Sequence, residues 1–206
     1  MPVSRKVLQA VVDDFKLRIV PRRQKEAAWI ESLPSLTDVI RNAGMAVNFR
    51  GKRDSHHGRR QRETLEECTR ILLSHEVDLR RSKDFDDVYA WIDKLLEVVH
   101  DVKTLYYYDA AILIAMKLGF SPTKIYLHSG AAEGATALLG ISKKTKWILP
   151  KDLPEPLSSL HADELEDLLC IYKECFQKNR MPENAERLAC ENLRTTVAEG
   201  SETGSA

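Results

Sequence analysis

Cysteine is scarce in this chain, and its spacing suits no obvious chemistry. Cys68, Cys170, Cys175 and Cys190 include no C-x-x-C pair among 206 residues. That pattern argues against a structural zinc frame, and the length argues against a disulfide scaffold. Reduced thiols on helices are the expectation. No stretch approaches the roughly 18 apolar residues that a membrane helix needs. The N-terminal Met1–Lys6 is followed by Asp13, Asp14 and Lys16 rather than by an apolar signal region. A soluble, cytoplasmic protein without a membrane partner is therefore expected. Net charge is missing as well. The 31 basic and 31 acidic side chains balance, so the overall charge neither demands nor forbids a nucleic-acid partner. Strand signals are few: 46–49, 124–127 and 147–149 are short, and none alternates cleanly.

What is present is enough to build a core. Hydrophobic residues make up 43% and charged residues 30%, which excludes wholesale disorder. The zero net charge also hides a polarity. Residues 1–150 carry 25 basic and 19 acidic side chains, and the acidic excess falls after 150. That asymmetry points to a basic working surface and an acidic end.

Apolar periodicity predicts an all-α fold, a compact multi-helix domain over residues 1–198 with a polar, disordered tail over 199–206. Val3–Val20 carries a 3.6-residue stripe that Pro21 ends. Arg22–Leu33 follows, Pro34 breaks it, and Ser35 can cap Leu36–Ala43. Arg62–Arg80 reads as one helix, and Phe85–Val99 as another capped by Asp84. Tyr108–Leu118 closes at Gly119, and Gly130–Leu139, with Ser129 as its cap, closes at Gly140. Asp163–Gln177 is amphipathic, and 182–197 is a further candidate.

Three places could carry chemistry. The first is Arg50–Arg62, where six fixed positive charges (Arg50, Lys52, Arg53, Arg59, Arg60, Arg62) stand with one acid, two glycines and two histidines. Arginine at this density suits a phosphate backbone, since each side chain can neutralise a phosphate and release a counterion. His56 and His57 are adjacent and rarely point at one ion, so no metal is expected. The second is Asp101–Ile112. Asp109 falls there in a stretch otherwise fit for burial, where an acid is costly unless paired. Tyr106, Tyr107 and Tyr108 precede it and cannot share one helix face, so at least one should be exposed or edge a pocket. The third is Lys124–Ala135, in which an apolar run delivers His128 and Ser129 to a helix of small residues. Glu164, Glu166 and Asp167 form an acidic group expected to be mostly solvated.

Residues 95–141 present a helix, a tight turn, an apolar helix, and then an apolar run that enters a helix ending in Leu139-Gly140. This arrangement resembles the core of the helix-hairpin-helix DNA glycosylase superfamily. In that family a Gly-apolar-Gly hairpin grips the DNA backbone, and a loop of the form apolar-Asp-Thr-His, bearing the catalytic acid, opens the last helix. Here Asp101-Val102-Lys103 stands in the hairpin and Leu127-His128-Ser129-Gly130 in the loop. Both hairpin glycines are absent, and His128 occupies the acid's place.

The resemblance implies a DNA-binding protein that flips out a base, normal or modified, and hydrolyses its N-glycosidic bond without a cofactor. Asp109, the only acid in 105–130, would then be the carboxylate, with His128 orienting water or reading the base. Tyr106, Tyr107, Tyr108 and Tyr126 would form a wedge or pocket. Arg50, Lys52, Arg53, Arg59, Arg60, Arg62, Lys103, Thr104 and Lys124 would hold DNA. The alternatives are a non-catalytic DNA-binding module of that fold and an α-helical protein-interaction scaffold.

Overall fold

The computed structural model describes residues 2–183; the helix expected over 182–197 and the tail over 199–206 lie essentially outside them. Ten α-helices, three single turns of 3-10 helix and one two-stranded ribbon form the regular structure of the described residues. The helices are α1 (Arg5–Arg18), α2 (Val20–Ser32), α3 (Leu36–Gly44), α4 (Arg62–Ser74), α5 (Glu76–Arg80), α6 (Phe85–Leu96), α7 (Thr104–Leu118), α8 (Ser129–Leu139), α9 (Ala162–Ile171) and α10 (Lys173–Lys178). Strands β1 (Ile125–Tyr126) and β2 (Trp147–Ile148) pair antiparallel, Ile125 opposite Ile148. They fall inside two of the three apolar runs, while the 46–49 run contributes only a bridge between Val47 and Arg53. No helix among the described residues is long and apolar enough to cross a membrane.

Local signals set most boundaries. Ser4, Ser35 and Asp84 each accept a backbone N–H at a helix start, satisfying one of the donors that a helix leaves orphaned. Pro21 falls in the first turn of α2, where its missing N–H costs nothing. Gly119 and Gly140 adopt left-handed conformations that close α7 and α8. Four expectations fail locally. The helix expected over Tyr108–Leu118 begins at Thr104. The predicted helix over Arg62–Arg80 breaks at His75, and that over Asp163–Gln177 breaks at Tyr172. Ser129 does not cap α8; His128 takes that position and supplies no side-chain bond.

The buried side chains form two clusters. One gathers the end of α2 with α3, α4, α5, α6 and α7. The other gathers α1, β1, α8, β2, α9 and α10. Helix α7 is apolar nearly all round and buries residues on several faces, as a central helix must. Lys117, near its end, donates to the carbonyls of Ile30, Glu31 and Leu33. Those are terminal acceptors of α2, so one ammonium ties α2 to α7 and complements the helix dipole. In the second cluster α8 lies directly on α9. A Cβ on Gly134 would stand 2.1 Å from the Leu169 carbonyl oxygen, so only glycine permits this approach. Tyr126 of β1 packs into the first cluster while Ile125 packs into the second. The ribbon thus marks a seam between them.

Candidate active site

The seam collects the polar groups that neither core absorbs. Arg50–Arg62 is an ordered loop. Gly51 turns it with positive φ, and Val47 bridges Arg53. Arg53 donates to the Arg60 carbonyl at 2.8 Å, and Asp54 accepts from the His56 amide at 3.0 Å. A single turn of 3-10 helix at Ser55–His57 then drives His57 inward. His57 is 2% exposed. Its Nε2 lies 2.7 Å from Asp109 Oδ2, and its ring meets the edge of Tyr106 at 5.2 Å. Its Nδ1 is buried without a partner.

Asp109 reaches this point from the second turn of α7. Its side chain keeps 37% of its surface open to solvent. Protein crowds it on the other sides, and that burial raises its pKa against the opposing pull of His57. Partial exposure combined with strong desolvation describes a carboxylate at the surface that protein hems in on several sides.

Nearby stand Tyr108, His128 and three acids of α9. The Tyr108 ring is 4.8 Å from that of His128 and 5.7 Å from that of Tyr126. Its hydroxyl has no partner. Burial, and then the charges of Glu166, Asp163 and Asp167, hold its pKa well above the ordinary tyrosine value. His128 is 8% exposed with Nε2 unpartnered, and burial lowers its pKa to about 4. Glu166 is 7% exposed, and among the described residues no hydrogen-bond donor reaches it. Burial first, then Asp167 and Asp109, push its pKa well above the usual carboxylate range.

Arg23 of α2 bonds both Asp163 and Asp167. Burial works against its charge, but Asp167 and Asp163 more than offset this. Nearby Glu26 is raised chiefly by burial. One guanidinium therefore serves an excess of carboxylates, and Glu166 is the acid of α9 that it does not reach. Among the described residues no group of three or more His, Cys, Asp or Glu is arranged to hold a metal ion. A hollow of about 190 Å³, lined by Arg18, Tyr172, Arg180 and their neighbours, includes none of these residues.

Asp109, His128, Tyr108 and Tyr126 thus fall in one region, with the arginine-rich loop at its edge. Several other expectations need correction. All three consecutive tyrosines are buried. Tyr106 donates to the Gly44 carbonyl at 2.5 Å, and Tyr107 lies 3.2 Å from the carbonyls of Leu96 and Val102. Both are held in the first core, so neither has a free face to act as a wedge. Tyr126 spends its hydroxyl on Asp86. Lys124 is paired with the same Asp86 and sits over the Trp147 ring, which leaves it poorly disposed toward a phosphate. Arg53 is committed to its own loop. Arg50, Lys52, Arg59, Arg62, Lys103 and Thr104 are exposed and Arg60 is half-buried; Arg62 pairs with Glu66. Glu166 is largely buried rather than solvated.

His57, Arg23 and Glu166 went unrecognised from sequence. The available signal was a histidine in a basic loop and an acid on the inward stripe of an amphipathic helix. No protein family, characterised protein or solved structure matches the chain.

Proposed function

We propose that this chain binds a nucleic-acid strand and hydrolyses an N-glycosidic bond, releasing a base. The reading takes α6, the turn after it, α7, β1 and α8 as a helix-hairpin-helix core. The observation that carries it is the hydrogen bond between His57 and Asp109. It joins the most cationic segment of the chain to a solvent-accessible carboxylate. A strand held by Arg50, Lys52, Arg59 and Arg60 would therefore pass beside Asp109. Asp101, in the turn, takes the positive φ that glycine usually supplies. Lys103 and Thr104 follow it on the surface, where backbone amides and one ammonium can meet a phosphate.

Breaking the bond between C1′ and the base builds positive charge on the sugar. A preorganised carboxylate beside C1′ lowers that barrier. Asp109 has the accessibility for this role, and His57 orients it. The resemblance expects the acid in the loop before α8; in this reading α7 supplies it instead. His128, neutral at ordinary pH, packs against Tyr108 and fits the base rather than the sugar.

The test is abasic-site formation on oligonucleotides carrying varied normal and modified bases. Asp109→Asn is expected to lose about 100-fold or more in single-turnover rate, as loss of a transition-state charge partner does. Paired Arg59→Ala and Arg60→Ala changes should weaken binding and flatten its salt dependence by about two counterions. Wild-type protein inactive on every substrate, or a fully active Asp109→Asn variant, overturns the reading. Salt-sensitive binding without base release would leave a non-catalytic module.

A further inference from the structure

The geometry points to a second nucleic-acid contact, on the β1–β2 ribbon and apart from the arginine-rich loop. We propose that Trp147 stacks on an unpaired base of a single strand while Lys143, Lys144 and Lys146 hold the neighbouring phosphates. The inference goes beyond base excision, because the ribbon would hold a strand whether or not a base is released from it.

The segment 141–151 contains four lysines, Lys143, Lys144, Lys146 and Lys151, and no acid. All four are exposed. Among the described residues none of them enters an ion pair, and acids close to the ribbon are engaged elsewhere. Glu133 pairs with Lys173, Asp86 with Lys124, and Asp152 accepts from the Leu149 amide at 2.8 Å. The lysines are also presented on ordered backbone. The Thr145 amide donates to the Ser142 carbonyl at 3.0 Å, and the Lys144 amide to the Ser142 hydroxyl at 3.2 Å. The Leu127 amide donates to the Lys146 carbonyl at 2.9 Å. Ile148, opposite Ile125, anchors the strand in the second core.

Trp147 completes the surface. It stands opposite Tyr126 in the ribbon and is 47% exposed, whereas Trp29 and Trp91 are half-buried. The Lys124 ammonium lies 5.3 Å from the centroid of its ring, and Asp86 fixes that ammonium in turn. The indole is thus steadied by a cation and still offers about half of its surface to a ligand. Three free lysines fall within four residues of it. That backbone span is at most about 14 Å, the length of about four stacked nucleotides.

The coincidence of flat ring and free cations selects the ligand. Lysines alone suit phosphates, carboxylates and lipid headgroups equally. An acidic peptide would leave the indole without a planar partner. A bilayer would accept Trp147, but Ile148 and Leu153 beside it are buried in the core and give a membrane nothing more to take up. A duplex keeps its bases stacked on one another. An unpaired strand supplies both parts, since every nucleotide carries a phosphate and a base with a π-face.

The test titrates the full chain with a short oligothymidine strand, read by tryptophan fluorescence and by the anisotropy of the labelled strand. Binding should quench the wild-type fluorescence, and the quenching should persist in an Arg59→Ala/Arg60→Ala variant. Trp147→Ala should lose the quenching and about 10-fold in affinity, as removal of one stacking platform does. Trp147→Phe should lose the quenching but keep affinity within about 3-fold, because a π-face remains. Combined Lys143→Ala, Lys144→Ala and Lys146→Ala changes should flatten the salt dependence by about two counterions. Those three side chains are exposed, so this arm holds even if position 147 tolerates no change. Saturation without quenching, full affinity in Trp147→Ala, or binding to phosphatidylserine vesicles in preference to the strand overturns the proposal. A strand that quenches Trp147 while no base is released from any substrate supports the ribbon contact and overturns base excision. Base release without quenching does the reverse.

Discussion

The side of α7 that meets α3 and α6 and the side that meets the seam are built from consecutive tyrosines, yet the two sides differ in kind. Tyr106 and Tyr107 reach backbone carbonyls at Gly44, Leu96 and Val102. Tyr108 is equally buried and reaches nothing. The same contrast runs along α9. Asp163 and Asp167 share the Arg23 guanidinium, while Glu166 between them has no partner. On one side polarity is consumed in holding helices together. On the other it is left unspent, at a cost in stability that the rest of the fold carries. Orphaned groups gathered beside an accessible Asp109 mark the side on which a ligand would do the most good.

The strongest way to break this contrast is to move the α9 wall itself. Gly134→Val places side-chain atoms where the Leu169 backbone stands. It should cost about 3 kcal/mol or more in denaturant unfolding, at the upper end of overpacking effects. Base release should fall with it, because the α8–α9 contact that positions His128 is lost.

The pH dependence of stability sharpens the contrast along the seam. His128 is held neutral down to about pH 4. The unfolded chain takes up that proton near 6.5, so stability is lost as pH falls from 6.5 toward 4, by about 3 kcal/mol in all. Glu166 acts oppositely. Its folded pKa is raised, so the folded chain holds its proton more tightly. Stability is therefore lost as pH rises above about 4.5, the ordinary glutamate value. The Tm of Glu166→Gln should exceed that of wild type by a margin that widens with pH. Parallel Tm curves would show that Glu166 is not desolvated.

Much of the fold was legible because its signals are local. Ser35, Asp84, Gly119 and Gly140 mark helix ends by capping chemistry that needs no tertiary context. The breaks at His75 and Tyr172 were not legible. There the chain turns to seat Leu79 and Phe176 in the two cores, and periodicity does not register a change of axis. Asp109 could be picked out because an acid stands in an apolar stretch. Its partner could not, since His57 is 52 positions away in a loop whose composition advertises only charge. Glu166 was misread for a related reason. Helix periodicity places it on the inward stripe beside Leu165 and Leu169, but three neighbouring acids suggested a solvated face. The tyrosines show the limit most plainly. Their spacing implies that they diverge, and they do; it does not reveal that protein waits on every side.

The smallest expected effect separates the two sides most cleanly. Tyr106→Phe removes a donor and strands the buried Gly44 carbonyl, so it should destabilise the fold by about 1–2 kcal/mol. Tyr108→Phe removes a hydroxyl that has no partner to strand. It should leave stability within about 0.5 kcal/mol of wild type, or raise it, because a desolvated polar atom is exchanged for hydrogen. Both changes keep the ring, so packing is held constant and the difference isolates the hydroxyl. Urea unfolding of the pair at one pH, with m-values unchanged, supplies the comparison. Equal losses would mean that Tyr108 Oη has a hydrogen bond in solution, and the seam would then be ordinary core. A stable Tyr108→Phe variant with impaired base release would instead show that the hydroxyl serves the ligand and not the fold.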